Sequence, residues 1–233
     1  SDLPDHRVGG WINAGVSLAT LVASLLLLPF EAPDPTSFAI VDDFNIYLIV
    51  LTSFVAFTAA WFSAGYIAHE VGSGRLTPAY LRFYHAMYQI LSFAMLLALI
   101  ANNIGVMWAA IELATLTTVV MVSLYRSRAA LEAAWKYFIL GSVGIALALF
   151  GTILIYLAAQ KAMGPGMDAL TWSQLYAEAP NFEPELLNLA FAFLLIGYGT
   201  KTGLVPLHAW LPDAHAEGPT PISAVLSGLL LNV

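Results

Sequence analysis

The stretch "GYGTKTGLVPLHAWLPDAH", from Gly197 to His215, decides how this chain is read. It continues the apolar run Leu186–Ile196, so Lys201 sits inside a segment otherwise suited to crossing a bilayer. Pro206 follows five residues later. Within a helix a proline lacks the N–H donor, and its ring clashes with the carbonyl four residues back, here that of Thr202. Gly199 and Gly203 loosen the same turns, and Pro212 removes one more bond. The sequence therefore predicts a span broken around Gly199–Pro206. The carbonyls freed beside Lys201 need partners from protein or water, because lipid offers none. Broken spans at mid-membrane depth line the sites of transporters, so Lys201 is expected to face a hydrated cavity inside a helix bundle.

Composition agrees with a bilayer. Of 233 residues 60% are hydrophobic and 10% charged, whereas soluble domains carry about 25% charged residues. The absence of cysteine excludes disulfides, thiolate metal sites, Fe–S ligation and a cysteine nucleophile in this chain. A net charge of −7 with no basic patch interleaved with aromatics argues against nucleic acid as a partner. No H-E-x-x-H or comparable metal spacing occurs.

Apolar segments long enough to span are Gly10–Leu28, Asp43–Tyr66, Phe83–Ala101, Asn103–Leu124, Trp135–Ala159 and Leu186–Trp210. A seventh begins near Thr220 and is still apolar at Val233, so residues 1–233 are expected to be a single, incomplete transmembrane domain belonging to a longer chain. With alternate crossings, Arg7, Arg75, Arg82, Arg126, Arg128 and Lys136 share one side, while the other holds Lys161 and eight acids. The positive-inside rule places the basic side in the cytoplasm. The long connection between Gln160 and Glu185 reads as a surface loop with a short interfacial helix in "TWSQLYAEAP". Gly141, Gly144, Ala148 and Gly151 fall on one face of the fifth span, where small residues let a neighbouring helix approach.

Two charges lie deep in the predicted spans: Glu112, in "MWAAIELATL", and Lys201. Each is nine residues from its boundary, hence roughly 13 Å in, close to the middle of a core about 30 Å thick. An isolated charge there costs at least ~3 kcal/mol. An acid and a base at one depth lower that cost by pairing or by passing a proton between them. The bland reading is a permanent ion pair that fixes packing; the functional one is proton handling. His208 lies seven residues after Lys201, on nearly the same face if the helix continues, and would relay protons toward the basic side. Glu132 and Lys136, an i,i+4 pair, are further relay candidates.

"ANNIGVMWAAIELATLTTV" and "GYGTKTGLVPLHAWLPDAHAEGPTPISAVLSG" resemble the antiporter-like membrane subunits shared by respiratory complex I, Mrp antiporters and energy-converting hydrogenases. With "RFYHAMYQ" and "SLYRSRAALEAAWKYFILGSVGIALALFGTILIY", the resemblance is strongest to the hydrogenase-4 component F group and runs from about Asp43 onward. It implies an all-α polytopic bundle, here a fragment of a fourteen-helix fold with two inverted five-helix repeats. It also implies that Glu112 and Lys201 are the proton-path pair. Relatives carry a lysine or histidine at mid-membrane in the eighth helix, where this sequence has Asn232, which does not titrate. The implied partners are other membrane subunits and a peripheral redox arm of a bacterial inner-membrane complex. Ni–Fe and Fe–S centres would belong to those partners, with no cofactor in this chain. A sodium/proton antiporter, the membrane subunit of an inorganic-carbon pump and a non-conducting scaffold remain as alternatives.

Overall fold

The computed structural model describes residues 3–29 and 33–231, with side chains in the first helix from Val8 onward. Asn232 lies outside the described residues. Nine α-helices follow one another among these: α1 (Leu3–Leu25), α2 (Asn45–Gly72), α3 (Pro78–Ile100), α4 (Ile104–Val122), α5 (Arg128–Met163), α6 (Trp172–Glu178), α7 (Pro184–Thr202), α8 (Leu211–Glu217) and α9 (Thr220–Val225). The last continues as a π-helical turn, Leu226–Leu230. Strand pairing among the described residues is confined to two isolated bridges, Ala39–Ala101 and Asn103–Thr171.

Among the described residues five helices are long and apolar enough to cross a membrane: 8–25, 45–72, 78–100, 104–125 and 128–163. The sixth expected span is shorter than predicted. Helix α7 has 19 residues and ends at Thr202, so Leu186–Trp210 is not one helix. Where a seventh was expected, Thr220–Leu230 is a shorter apolar helix. At about 1.5 Å per residue, the 36 residues of α5 outreach any bilayer core, and both its ends carry ion-paired lysines, Lys136 and Lys161.

Polar side chains start and stop these helices. At the acidic end, the Asp42 carboxylate accepts from the backbone N–H groups of Phe44 and Asn45 at the start of α2. The Asn45 amide in turn donates to the carbonyls of Ile40 and Leu99, tying α2 to the end of α3. Asn103 caps α4 by accepting from Gly105 and Val106. Its neighbour Asn102 donates to the Thr36 carbonyl and Ser173 hydroxyl and accepts from the Ser173 N–H. The short helix expected in "TWSQLYAEAP" is α6, held there by Asn102.

The small-residue face of α5 meets α7 running antiparallel. A Cβ on Gly197 would stand 2.6 Å from the Ala148 nitrogen, and one on Gly144 would stand 2.8 Å from the Thr200 Cβ. Backbones approach this closely only where side chains are absent, which is how helices associate without a hydrophobic gain over lipid. Because Thr200 lies abreast of Gly144, near the middle of α5, the end of α7 is fixed at mid-bundle. The main core, built around Tyr84, Tyr88, Leu91, Met121, Tyr137, Trp210 and Leu226, lies on the basic side of that level.

Candidate functional site

Helix α7 stops at Gly203, which adopts a left-handed conformation at φ +77°. The N–H groups of Gly203 and Leu204 both turn back to the Gly199 carbonyl, closing the helix as glycine C-caps do. The break is therefore narrower than expected. Gly199 is a buried residue of the intact helix, and Pro206 lies in the following turns, joined to Val205 by a cis peptide bond. The expected clash at Thr202 never arises, because the chain has already left the helix three residues before the proline. Trp210 then folds back, and its indole N–H donates to the Thr200 carbonyl at 2.9 Å. One carbonyl freed by the break is thus satisfied by protein.

Lys201 is the last residue but one of α7 and only 6% exposed. A helix C-terminus concentrates unpaired carbonyls and partial negative charge, which favours a cation there. The Lys201 ammonium does not touch Glu112: among the described residues no hydrogen bond or ion pair joins them. It donates instead to the Tyr137 hydroxyl on α5 at 2.6 Å. Its Nζ lies 4.8 Å from the Tyr137 ring centre and 5.9 Å from that of Trp210. Those two rings stack at 4.3 Å and 13°, so the lysine rests on an aromatic platform suited to a cation.

The Tyr137 hydroxyl lies 2.7 Å from the Thr118 hydroxyl. Thr118 donates its own proton to the Ala114 and Thr115 carbonyls. With Tyr137 accepting from lysine, its proton points to Thr118, giving a directed file Lys201 to Tyr137 to Thr118 to the backbone of α4. Glu112 sits on that helix two residues before Ala114. Its Oε2 is buried without a hydrogen-bond partner, and Lys201 acts on it electrostatically across the gap. Lys201 lines a cavity of about 190 Å³ together with Ile111, Ala114, Tyr198, Thr202, Met95 and Met107; Glu112 is not among its lining residues. The cavity was expected; its largely apolar lining was not. An ammonium has three protons to donate, and one is engaged at Tyr137. The arrangement therefore sets a lysine in the wall of a cavity, within electrostatic reach of a carboxylate that has one unpartnered oxygen, with a hydroxyl file leading away from the lysine.

The other expected residues are placed differently. His208 does not share a face with Lys201, because the intervening helix ends at Thr202; its ring is half-buried, with Nδ1 unpartnered. Glu132 and Lys136 form the expected pair at 2.9 Å, but on the surface, and Lys136 is shared with Asp213 of α8 at 2.8 Å. Sequence reasoning missed Tyr137, Trp210 and Thr118. Tyr137 was findable: it lies four residues before Gly141, on the same stripe as Gly144, Ala148 and Gly151. Glu70 was also missed, because the second span was ended at Tyr66. It continues the buried face of α2 after Ser63 and Ile67. Among the described residues no His, Cys, Asp and Glu cluster suited to a metal ion occurs.

The chain is 58% identical over its whole length to a "Hydrogenase-4 component F homolog" of Methylacidiphilum infernorum, covering 49% of that relative. It is 31% identical to "NADH-quinone oxidoreductase subunit N 2" of Rhizobium meliloti, over 93% of this chain and 43% of the relative. The chain thus spans about half the length of the curated relatives it matches. A chain of the solved Mrp complex from Dietzia superposes with a TM-score of 0.77 over 97% of this chain and 42% of its own, at 20% identity, a likeness of fold. Residues 101–233, which contain Glu112, Tyr137 and Lys201, match the family described as "NADH:quinone oxidoreductase/Mrp antiporter, TM", and the chain belongs to that family of antiporter-like membrane subunits.

Proposed function

We propose that this chain carries part of the proton path of a proton-translocating membrane subunit in an energy-converting complex of the hydrogenase-4 or complex I kind. One observation carries the reading: a lysine buried at a mid-bundle helix break, hydrogen-bonded to a tyrosine file, lining a cavity, and within electrostatic reach of a glutamate with an unpartnered oxygen. Ionisable groups inside a membrane are costly and serve transport paths. In this reading Lys201 alternates between the Tyr137 platform and Glu112, and Tyr137 takes the onward relay place that sequence reasoning gave to His208. His208, Glu132 and Lys136 lie toward the basic end, and the Lys and Arg distribution supports reading that end as the cytoplasmic side; the proposed location is a bacterial inner membrane. Other membrane subunits and a peripheral redox arm are the proposed partners; redox centres would reside in them. Any coupling requires the arm to interact differently with the two lysine positions.

The test uses the full-length subunit in its assembled complex, reconstituted in vesicles. Lys201→Ala and Glu112→Gln are expected to abolish acidification of the lumen while the complex still assembles. Pumping at the wild-type rate in both variants refutes the proposal and leaves a scaffold. Flux that depends on sodium, and is lost in Lys201→Ala, turns it into a sodium/proton exchanger.

A further inference from the structure

A second buried acid lies outside this site. Glu70, in the last turn of α2, has a side chain only 4% exposed. One oxygen is 3.2 Å from the Arg75 guanidinium, which is 70% exposed; the other, Oε2, is buried with no hydrogen-bond partner. Burying a carboxylate is expensive unless its oxygens are engaged, so a half-engaged one invites a role that needs the free oxygen. Arg75 alone explains a fastening of the α2–α3 turn, where the Glu70 carbonyl already accepts the N–H groups of Arg75 and Leu76. It does not explain why the carboxylate points inward.

The groups facing Glu70 form a file. The Tyr125 hydroxyl, just beyond α4, lies within electrostatic reach of the carboxylate. It is 2.9 Å from the Tyr66 hydroxyl, which lies one turn before Glu70. Thr220, the first residue of α9, donates to Tyr66 at 3.5 Å. One turn along α9, Ser223 is 2.6 Å from Nδ1 of His215 on α8, and α8 belongs to the connector that follows Lys201. Arg75, Tyr66, Tyr125 and Thr220 thus lead from an exposed guanidinium, past a buried carboxylate, to the segment behind the helix break.

We propose that Glu70 is a proton-collecting group on the basic side of the bundle, a reading that rests on the proton path proposed above. A proton from water beside Arg75 binds Oε2. It passes on when Tyr125 and Tyr66 each receive a proton on one side and release their own on the other, leaving the hydroxyls unchanged and the carboxylate ionised again.

The experiment measures the initial rate of lumen acidification by the full-length subunit in its reconstituted complex, with Lys201→Ala as reference. Glu70→Gln keeps size and hydrogen bonding but cannot carry the proton; it is expected to slow pumping roughly tenfold or more, most severely at alkaline pH, with partial recovery on adding azide as a diffusible weak acid. Tyr66→Phe, which removes one hydroxyl, is expected to slow pumping without azide recovery. Wild-type rates in both variants overturn the proposal, as does a Glu70→Gln loss that azide leaves unchanged while Tyr66→Phe pumps normally, the signature of a structural role. If Lys201→Ala itself pumps normally, the reading of the main site falls; if only Glu70→Gln does, that reading stands and the collector alone is lost.

Discussion

Helices α5 and α7 lie against each other along the same small residues, yet one runs 36 residues without interruption and the other stops after 19. Composition does not separate them: both are apolar and both contain glycines. What separates them is where glycine sits. In α5 Gly144 and Gly151 are helical, and their missing side chains make room for α7; at Gly203 the glycine adopts positive φ and closes the helix. The unbroken helix supplies a fixed wall carrying Tyr137, and the broken one delivers a lysine and its free carbonyls to that wall. Position of the lysine therefore depends on register between the two helices.

That dependence gives the largest expected effect. Gly197→Ala would drive a Cβ to 2.6 Å from the Ala148 backbone nitrogen, where no side chain exists to move aside. Overpacking of this kind costs about 1–3 kcal/mol, and here it also displaces the end of α7. The thermal midpoint of the purified full-length subunit should fall by several degrees, roughly the shift such a loss produces in a domain of this size. Gly15→Ala, with open space at its Cβ, is the control and should leave the midpoint unchanged. Equal behaviour of the two variants would break the comparison.

Next in size is the contact between the helices at the lysine. Tyr137→Phe keeps the stack on Trp210 but removes the hydroxyl that Lys201 and Thr118 share. Hydrogen bonds to charged groups contribute about 1.5–3 kcal/mol. The same change in a Lys201→Met background should cost clearly less, since the lysine no longer needs the acceptor. A double-mutant cycle on thermal stability reads the difference, and additive losses would show that the two side chains do not depend on each other.

The parts of the molecule legible in sequence were those governed by composition and steric rule. Length of apolar segments located the helices, small residues at 3-4-3 spacing located the α5–α7 contact, and proline beside glycine located a break. The break was assigned to Pro206 because proline is the stronger helix breaker, whereas the chain left the helix earlier, at the residue that tolerates positive φ. Gly203→Ala should test this: a left-handed Cβ costs about 1–2 kcal/mol, whereas Pro206→Ala should leave the helix end where it is, as read by hydrogen exchange at the Gly203 and Leu204 amides. Lys201's partner was not legible, because pairing by opposite charge pointed to Glu112 while the side chain follows the hydroxyl that packing brings within 2.6 Å. Glu70 escaped notice because a charge near a span end is usually solvated, and only its place on the Ser63–Ile67 face marked it as buried.

The smallest effect belongs to the outer rim of the same contact. Lys136 stands one residue before Tyr137 and joins Glu132 on its own helix to Asp213 on α8, the connector that follows the break. All three side chains are exposed, so water and salt screen their attraction. If the connector were held by this latch, Lys136→Ala would loosen it and move the Trp210 stack. If it is held by Trp210 itself, buried against Tyr137 and bonded to Thr200, Lys136→Ala should change thermal stability by less than Gly203→Ala and leave the fluorescence of Trp210 where it was. We expect the second outcome, with whatever small loss remains vanishing at high salt, because the burial of a stacked indole outweighs an exposed ion pair.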